Sequence, residues 1–141
     1  GAHQPGRMIV LDEHLQGVRL EETIAQWYRG RVCFISSLRP GSVIKDESIP
    51  HLLRSERQPT FVTQNWKHFW HRTAAHSGFC IVCFVLPSEQ VREIAPLLRR
   101  LLRLSAFQTR AARMGKVVRV SSEHVSYYQV NDSQSYVLPL P

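Results

Sequence analysis

Apolar and polar positions fall in alternating blocks along the chain. Met8-Ile9-Val10-Leu11 is apolar throughout and stops at Asp12-Glu13-His14. This predicts a buried strand that delivers a polar cluster at its carboxyl end. Leu15, Val18, Ile24, Ala25, Trp27 and Tyr28 then recur at helical spacing, which predicts a helix over 15–28 that ends at Gly30. Val32-Cys33-Phe34-Ile35 predicts a second strand over 31–36, and Arg39-Pro40-Gly41-Ser42 a turn. A helix is expected over 45–57, with Pro50 confined to its first turn. Thr60-Phe61-Val62-Thr63 reads as a third strand and, like the first, ends in polar residues, Gln64-Asn65.

The second half continues the alternation. A helix is expected over 66–75, broken by Gly78. Phe79 to Leu86 is the longest apolar run and predicts a strand covered on both faces, as in the middle of a parallel sheet. Pro87-Ser88 opens a long helix expected to reach about Ser105, and 106–114 extends it. Val117 to Ser121 and Val125 to Val130 read as strands of a terminal hairpin, and the tail 133–141 is weakly patterned. Strands alternating with helices predict an α/β fold with a mainly parallel sheet. Ligands of such sheets bind outside the carboxyl ends of the strands, where Asp12-Glu13 and Gln64-Asn65 fall.

Length and composition narrow the picture. The 141 residues make one domain, of ordinary globular composition with 43% hydrophobic and 21% charged residues. No apolar run approaches the roughly 20 residues of a membrane span. The N-terminus lacks the apolar segment of a signal peptide, and Gly1-Ala2 reads as an expression scar. Cys33, Cys80 and Cys83 lie in apolar runs, which fits reduced, buried thiols in a cytoplasmic protein. Cys80 and Cys83 have redox-motif spacing, yet along one strand they point to opposite faces.

The net charge is +7, and 15 of the 18 basic residues are arginine. This balance favours a polyanionic partner, nucleic acid first and an acidic protein second. The alternative is a genomic bias that replaces surface lysine by arginine. Arg92, Arg99 and Arg103 share one face of the expected long helix, and Arg110 and Arg113 follow. They form a candidate track for backbone phosphates, with a solvated face or a protein-binding surface as alternatives.

The chain has three aspartates, Asp12, Asp46 and Asp132. Asp12 ends the first strand, Asp46-Glu47 opens the helix after the second, and Asn65 ends the third. On neighbouring strands these groups converge. Clustered carboxylates repel one another and gain by sharing a divalent cation, here magnesium or manganese. Such an ion lowers the pKa of a bound water and steadies the charge on a phosphodiester. The alternative is that Asp12 and Asp46 simply cap their helices. His14 is a candidate general acid or phosphate contact. His68 and His71 have the spacing of a shared helix face, so a zinc or manganese pair competes with simple half-exposed packing. Thr63 is a candidate orienting hydroxyl.

These segments resemble a family. Ile9-Val10-Leu11-Asp12-Glu13-His14-Leu15 resembles the opening "(I/L)-L-L-D-E-N-L" of the short PIN-like proteins that serve as toxins in bacterial toxin–antitoxin pairs. Lys45-Asp46-Glu47-Ser48-Ile49 resembles that family's "D-E-x-I", and Phe61-Val62-Thr63-Gln64-Asn65-Trp66-Lys67-His68-Phe69 its "L-V-T-R-D-x-D-F". The ordered set covers about residues 8–105. The resemblance implies a three-layer α/β/α domain over 8–121, with 122–141 as a terminal strand and tail of the same domain. It also implies metal-dependent endoribonuclease activity, with an antitoxin protein or a second copy as possible partners. Asp12, Glu13, Asp46, Glu47 and Asn65 occupy the catalytic positions, and Asp12, Asp46 and Asn65 those of metal ligands. Two departures stand out: Asn65 and His68 replace aspartates of the pattern. A catalytically inactive PIN-like module that binds RNA or a protein is therefore the second expectation.

Overall fold

In the computed structural model, which describes residues 7–141, the strands and helices alternate as the hydrophobic pattern predicts. Gly1-Ala2 lies outside the described residues. Seven strands form one sheet: β1 (Met8–Leu11), β2 (Arg31–Phe34), β3 (Thr60–Thr63), β4 (Cys80–Phe84), β5 (Lys116–Val120), β6 (His124–Gln129) and β7 (Ser135–Pro139). Their order is β2-β1-β3-β4-β5-β6-β7. The first five are parallel neighbours, and β5, β6 and β7 pair antiparallel. The chain leaves β1 for β2 on one side and returns to β3 on the other. The strand order therefore reverses between β1 and β3, which is where α/β sheets open a ligand crevice.

The period of two along each strand divides the core between the two faces. Ile9, Leu11, Val62, Cys80, Val82 and Val118 pack on one face against α1 (Leu20–Ala25) and α4 (Ile94–Leu101). Val10, Phe61, Ile81, Cys83 and Val117 pack on the other against α2 (Ile49–Arg54) and α3 (Trp66–Phe69). The result is a mostly parallel mixed sheet between two helical layers. Cys80 and Cys83 point to opposite faces as expected, and all three cysteines are buried and unbridged. Burial pushes the Cys80 thiol up to about 12 and raises Cys83 as well. No helix among the described residues is long and apolar enough to cross a membrane.

The helices are shorter than the apolar spacing predicts, each for a visible reason. The segment 15–28 begins with a 3-10 turn, Glu13–Leu15, and only becomes α1 at Leu20. Gly17 and Arg19 hold positive φ between them, which no continuous helix permits. The segment 45–57 is a 3-10 turn, Asp46–Ser48, followed by α2 with Pro50 in its first turn. The segment 66–75 stops after four residues because Trp70 turns extended and His71 takes a left-handed conformation. Both rings then pack on Tyr128 of β6.

The long helix expected over 88–105 divides into a 3-10 segment, Ser88–Glu93, kinked at Gln90, and α4. Pro96 has no N–H to give the carbonyl of Arg92, so an α-helix cannot run unbroken through this point. It sits instead in the first turn of α4. Residues 106–114 do not extend α4; they hold the short α5 (Arg110–Arg113), capped by Thr109. The terminal hairpin forms as predicted between β5 and β6. The tail supplies a further strand, β7, and Arg100 ties its end to α4 through the Leu140 and Pro141 carbonyls.

Candidate functional site

The carboxyl ends of β1 and β3 carry a connected polar network. Asp12 follows β1 and is 5% exposed. Its Oδ1 accepts the Glu13 N–H at 2.8 Å, capping the 3-10 turn, so the capping role is real. Its Oδ2 accepts the Thr63 hydroxyl at 2.7 Å, across from the neighbouring strand. The Thr63 Oγ1 in turn accepts the Asn65 N–H at 2.9 Å. Asn65 Nδ2 donates to Asp46 Oδ2 at 2.9 Å, and His68 Nδ1 lies 3.9 Å from that same oxygen. Asp46 accepts this bond and caps nothing with its own side chain. One chain of contacts thus joins positions 12, 63, 65, 46 and 68.

His14 closes the network on the Asp12 side. Its Nδ1 stands 3.3 Å from Asp12 Oδ2, while its Nε2 accepts the Gln64 N–H at 3.3 Å. The hydrogen bond to Asp12 raises the His14 pKa; partial burial opposes this, and the charges of Asp12 and Asp46 add to it. Both carboxylates therefore favour the charged form of one imidazole. Gln64 Nε2 reaches the Leu86 and Pro87 carbonyls and ties the end of β3 to the end of β4. Asp46, Glu47, His51, Arg54, His68 and Arg72 lie along an adjoining cleft of about 580 Å³.

The sequence-predicted residues divide accordingly. Asp12, Asp46 and Asn65 come together, with His14, Thr63 and His68 beside them. Glu13 does not join; its carboxylate turns to Gln16 Nε2 at 2.7 Å. Glu47 is exposed and lies in the cleft beside Asp46. His68 and His71 do not share a helix face, because α3 ends between them, so the paired-histidine metal reading is corrected. The arginine track holds only in part: Arg99 and Arg103 line one groove, and the others are placed differently. Arg92 sits in the kinked 3-10 segment, apart from Arg99 on α4. Arg110 opens α5. Arg113 is 3% exposed and bonds Thr60 Oγ1 and the carbonyls of Phe107 and Gln108, a structural role. Sequence reasoning missed Arg54 and Arg72, whose only signal was net charge.

Among the described residues, no three Asp, Glu, His or Cys side chains gather closely enough to enclose an ion. Magnesium commonly binds through one or two carboxylates and keeps its remaining waters; Asp12 and Asp46 are the two carboxylates of this network, joined to each other through Thr63 and Asn65. The fold and site define an α/β protein with a linked carboxylate network at its topological switch point. Compared with protein-family models, curated proteins and solved structures, the chain matches none.

Proposed function

We propose that this chain is a PIN-like endoribonuclease of the toxin type, cutting RNA at the hollow formed by Asp12, Asp46 and Asn65. The observation that carries the reading is the network that links both aspartates through Thr63 and Asn65 at the reversal between β1 and β3. Asp12 and Asp46 would hold a magnesium or manganese ion. When bound, such an ion supplies a water of lowered pKa and a counter-charge for the phosphodiester.

The chain's own residues do the rest. Thr63 and the Glu13 N–H lock the Asp12 carboxylate in place before substrate arrives, which is preorganisation. His14, its Nε2 accepting the Gln64 N–H, holds a proton at Nδ1 facing Asp12. Arg54 and Arg72 bring positive charge to the cleft, where RNA phosphates approach. An antitoxin protein is the partner this reading implies.

One observation favours a second reading, a non-catalytic module that binds RNA or a protein. Both Asp12 oxygens already accept hydrogen bonds, and Asn65 and His68 bring no negative charge. The test is incubation of the purified protein with single-stranded RNA in manganese, with chelator and Asp12→Asn as controls. Cleavage lost in both controls is the expected result. Cleavage that persists in Asp12→Asn, or its absence under every metal condition, overturns the nuclease reading; in the latter case retained RNA binding supports the second.

A further inference from the structure

At the opposite end of the sheet the electrostatics reverse. Arg7 precedes β1, and Trp27, Tyr28 and Arg29 link α1 to β2. Together with Arg99 of α4 and Arg103 beyond it, they line a groove of about 290 Å³. Arg113 lies against it, its buried guanidinium fixed by Thr60 and two carbonyls. No carboxylate lines this groove among the described residues. Arg7, Arg29, Arg99 and Arg103 form no ion pair with a described residue. So much unneutralised charge in one concavity raises the local concentration of anions.

Two further features belong to the groove wall. The Tyr28 hydroxyl is buried and has no hydrogen-bond partner among the described residues. An orphaned buried hydroxyl is costly and calls for a partner. Gly30 makes the tight approach of Tyr28 and Arg7 possible. A Cβ there would stand 2.6 Å from the Tyr28 ring and 2.7 Å from Arg7. Within the groove the Arg99 guanidinium lies 5.8 Å from the Trp27 ring centroid, and Trp27 meets Tyr28 edge to face at 6.3 Å.

We propose that this arginine and aromatic groove is a second binding site, for single-stranded RNA, separate from the Asp12 hollow. Guanidinium groups pair with phosphate oxygens in charge-assisted hydrogen bonds. Aromatic faces accept unpaired bases by stacking, and the two together are the usual means of holding a single strand. A duplex offers the charges and withholds the bases. The site does not depend on the nuclease reading, because it shares no residue with the acidic hollow.

The test measures fluorescence anisotropy of a labelled single-stranded RNA against the full chain carrying Asp12→Asn, in chelator, over a range of salt. Joint replacement of Arg99→Gln and Arg103→Gln is expected to weaken binding about ten-fold or more. It also lowers the salt slope by about 1.4, at roughly 0.7 for each phosphate contact to a single strand. Trp27→Ala weakens single-stranded RNA and leaves a duplex of the same length unchanged. Arg39→Gln with Arg92→Gln removes the same charge elsewhere and leaves affinity within about two-fold, since only bulk charge is lost. Arg99→Lys with Arg103→Lys retains most of the binding, and thermal melting confirms that each variant folds. The proposal is overturned if the groove pair binds like the parent, or if the distant pair is equally damaging. Competition by polyglutamate as strong as that by RNA also overturns it and assigns the groove to an acidic protein.

Discussion

The two ends of the parallel strands handle charge in opposite ways. At the carboxyl end, Asp12 and Asp46 are each held by donors from another part of the chain: Thr63 from β3 for one, Asn65 just beyond it for the other. At the amino end, one arginine is buried among carbonyls while its neighbours line a groove without carboxylates. A charge held by hydrogen bonds has its geometry set before a ligand arrives. A cluster of like charges without carboxylate neighbours attracts anions over about a Debye length. RNA bound at one end and acted on at the other would use both.

The largest effect that sharpens this contrast falls on Arg113. Its hydrogen bonds satisfy Thr60 and the carbonyls of Phe107 and Gln108. Arg113→Ala leaves the buried Thr60 hydroxyl and Phe107 carbonyl without this donor and is expected to cost about 3 kcal/mol in urea unfolding. A loss under about 1 kcal/mol, within the range of ordinary surface changes, would remove the distinction between the buried arginine and its groove-lining neighbours.

Next comes Thr63→Val, which keeps the shape and deletes both the bond to Asp12 and the acceptor for the Asn65 N–H. It is expected to cost about 2 kcal/mol, since a buried carboxylate loses a donor. On the nuclease reading, cleavage falls about 10- to 100-fold, as when a partner that orients a metal ligand is lost. Unchanged cleavage by a folded variant would show that locking Asp12 has no part in the chemistry.

A pH effect follows from His14. Its folded pKa is raised above the ordinary 6.5. The stabilisation from its charged form is therefore complete below about 6.5 and fades as pH climbs through the raised value. The stability difference between the parent chain and His14→Gln should shrink across that window. The His14 titration followed by NMR should move down in Asp12→Asn; a midpoint unmoved by that change rules out the pairing. The smallest effect is expected at Glu13→Gln, which alters an outward carboxylate bonded to Gln16 and should shift stability by less than about 0.5 kcal/mol.

How much of this was legible in the letters depends on the range of the forces involved. Apolar runs ending in polar residues marked β1 and β3, and the unbroken run at 79–86 marked β4 as a central strand. Asp12, Asp46 and Asn65 were found because each follows or opens such an element. The helix lengths were not legible from apolar spacing alone, although Pro96 carries the signal that divides the segment 88–105. No local signal shortens α3. Tyr128, far along the chain, draws Trp70 and His71 out of the helix, and this separates His68 from His71. The strand β7 was hidden because its alternation spans five residues and gains meaning only beside β6.

By itself the sequence determined the alternation of elements, the parallel sheet and the strand ends where polar groups collect, because each follows from side-chain periodicity within a few residues. Only the tertiary structure decided which carboxylates meet, which arginine is buried and which remain unpaired. Those outcomes depend on strand order and on contacts between residues tens of positions apart, which periodicity does not encode.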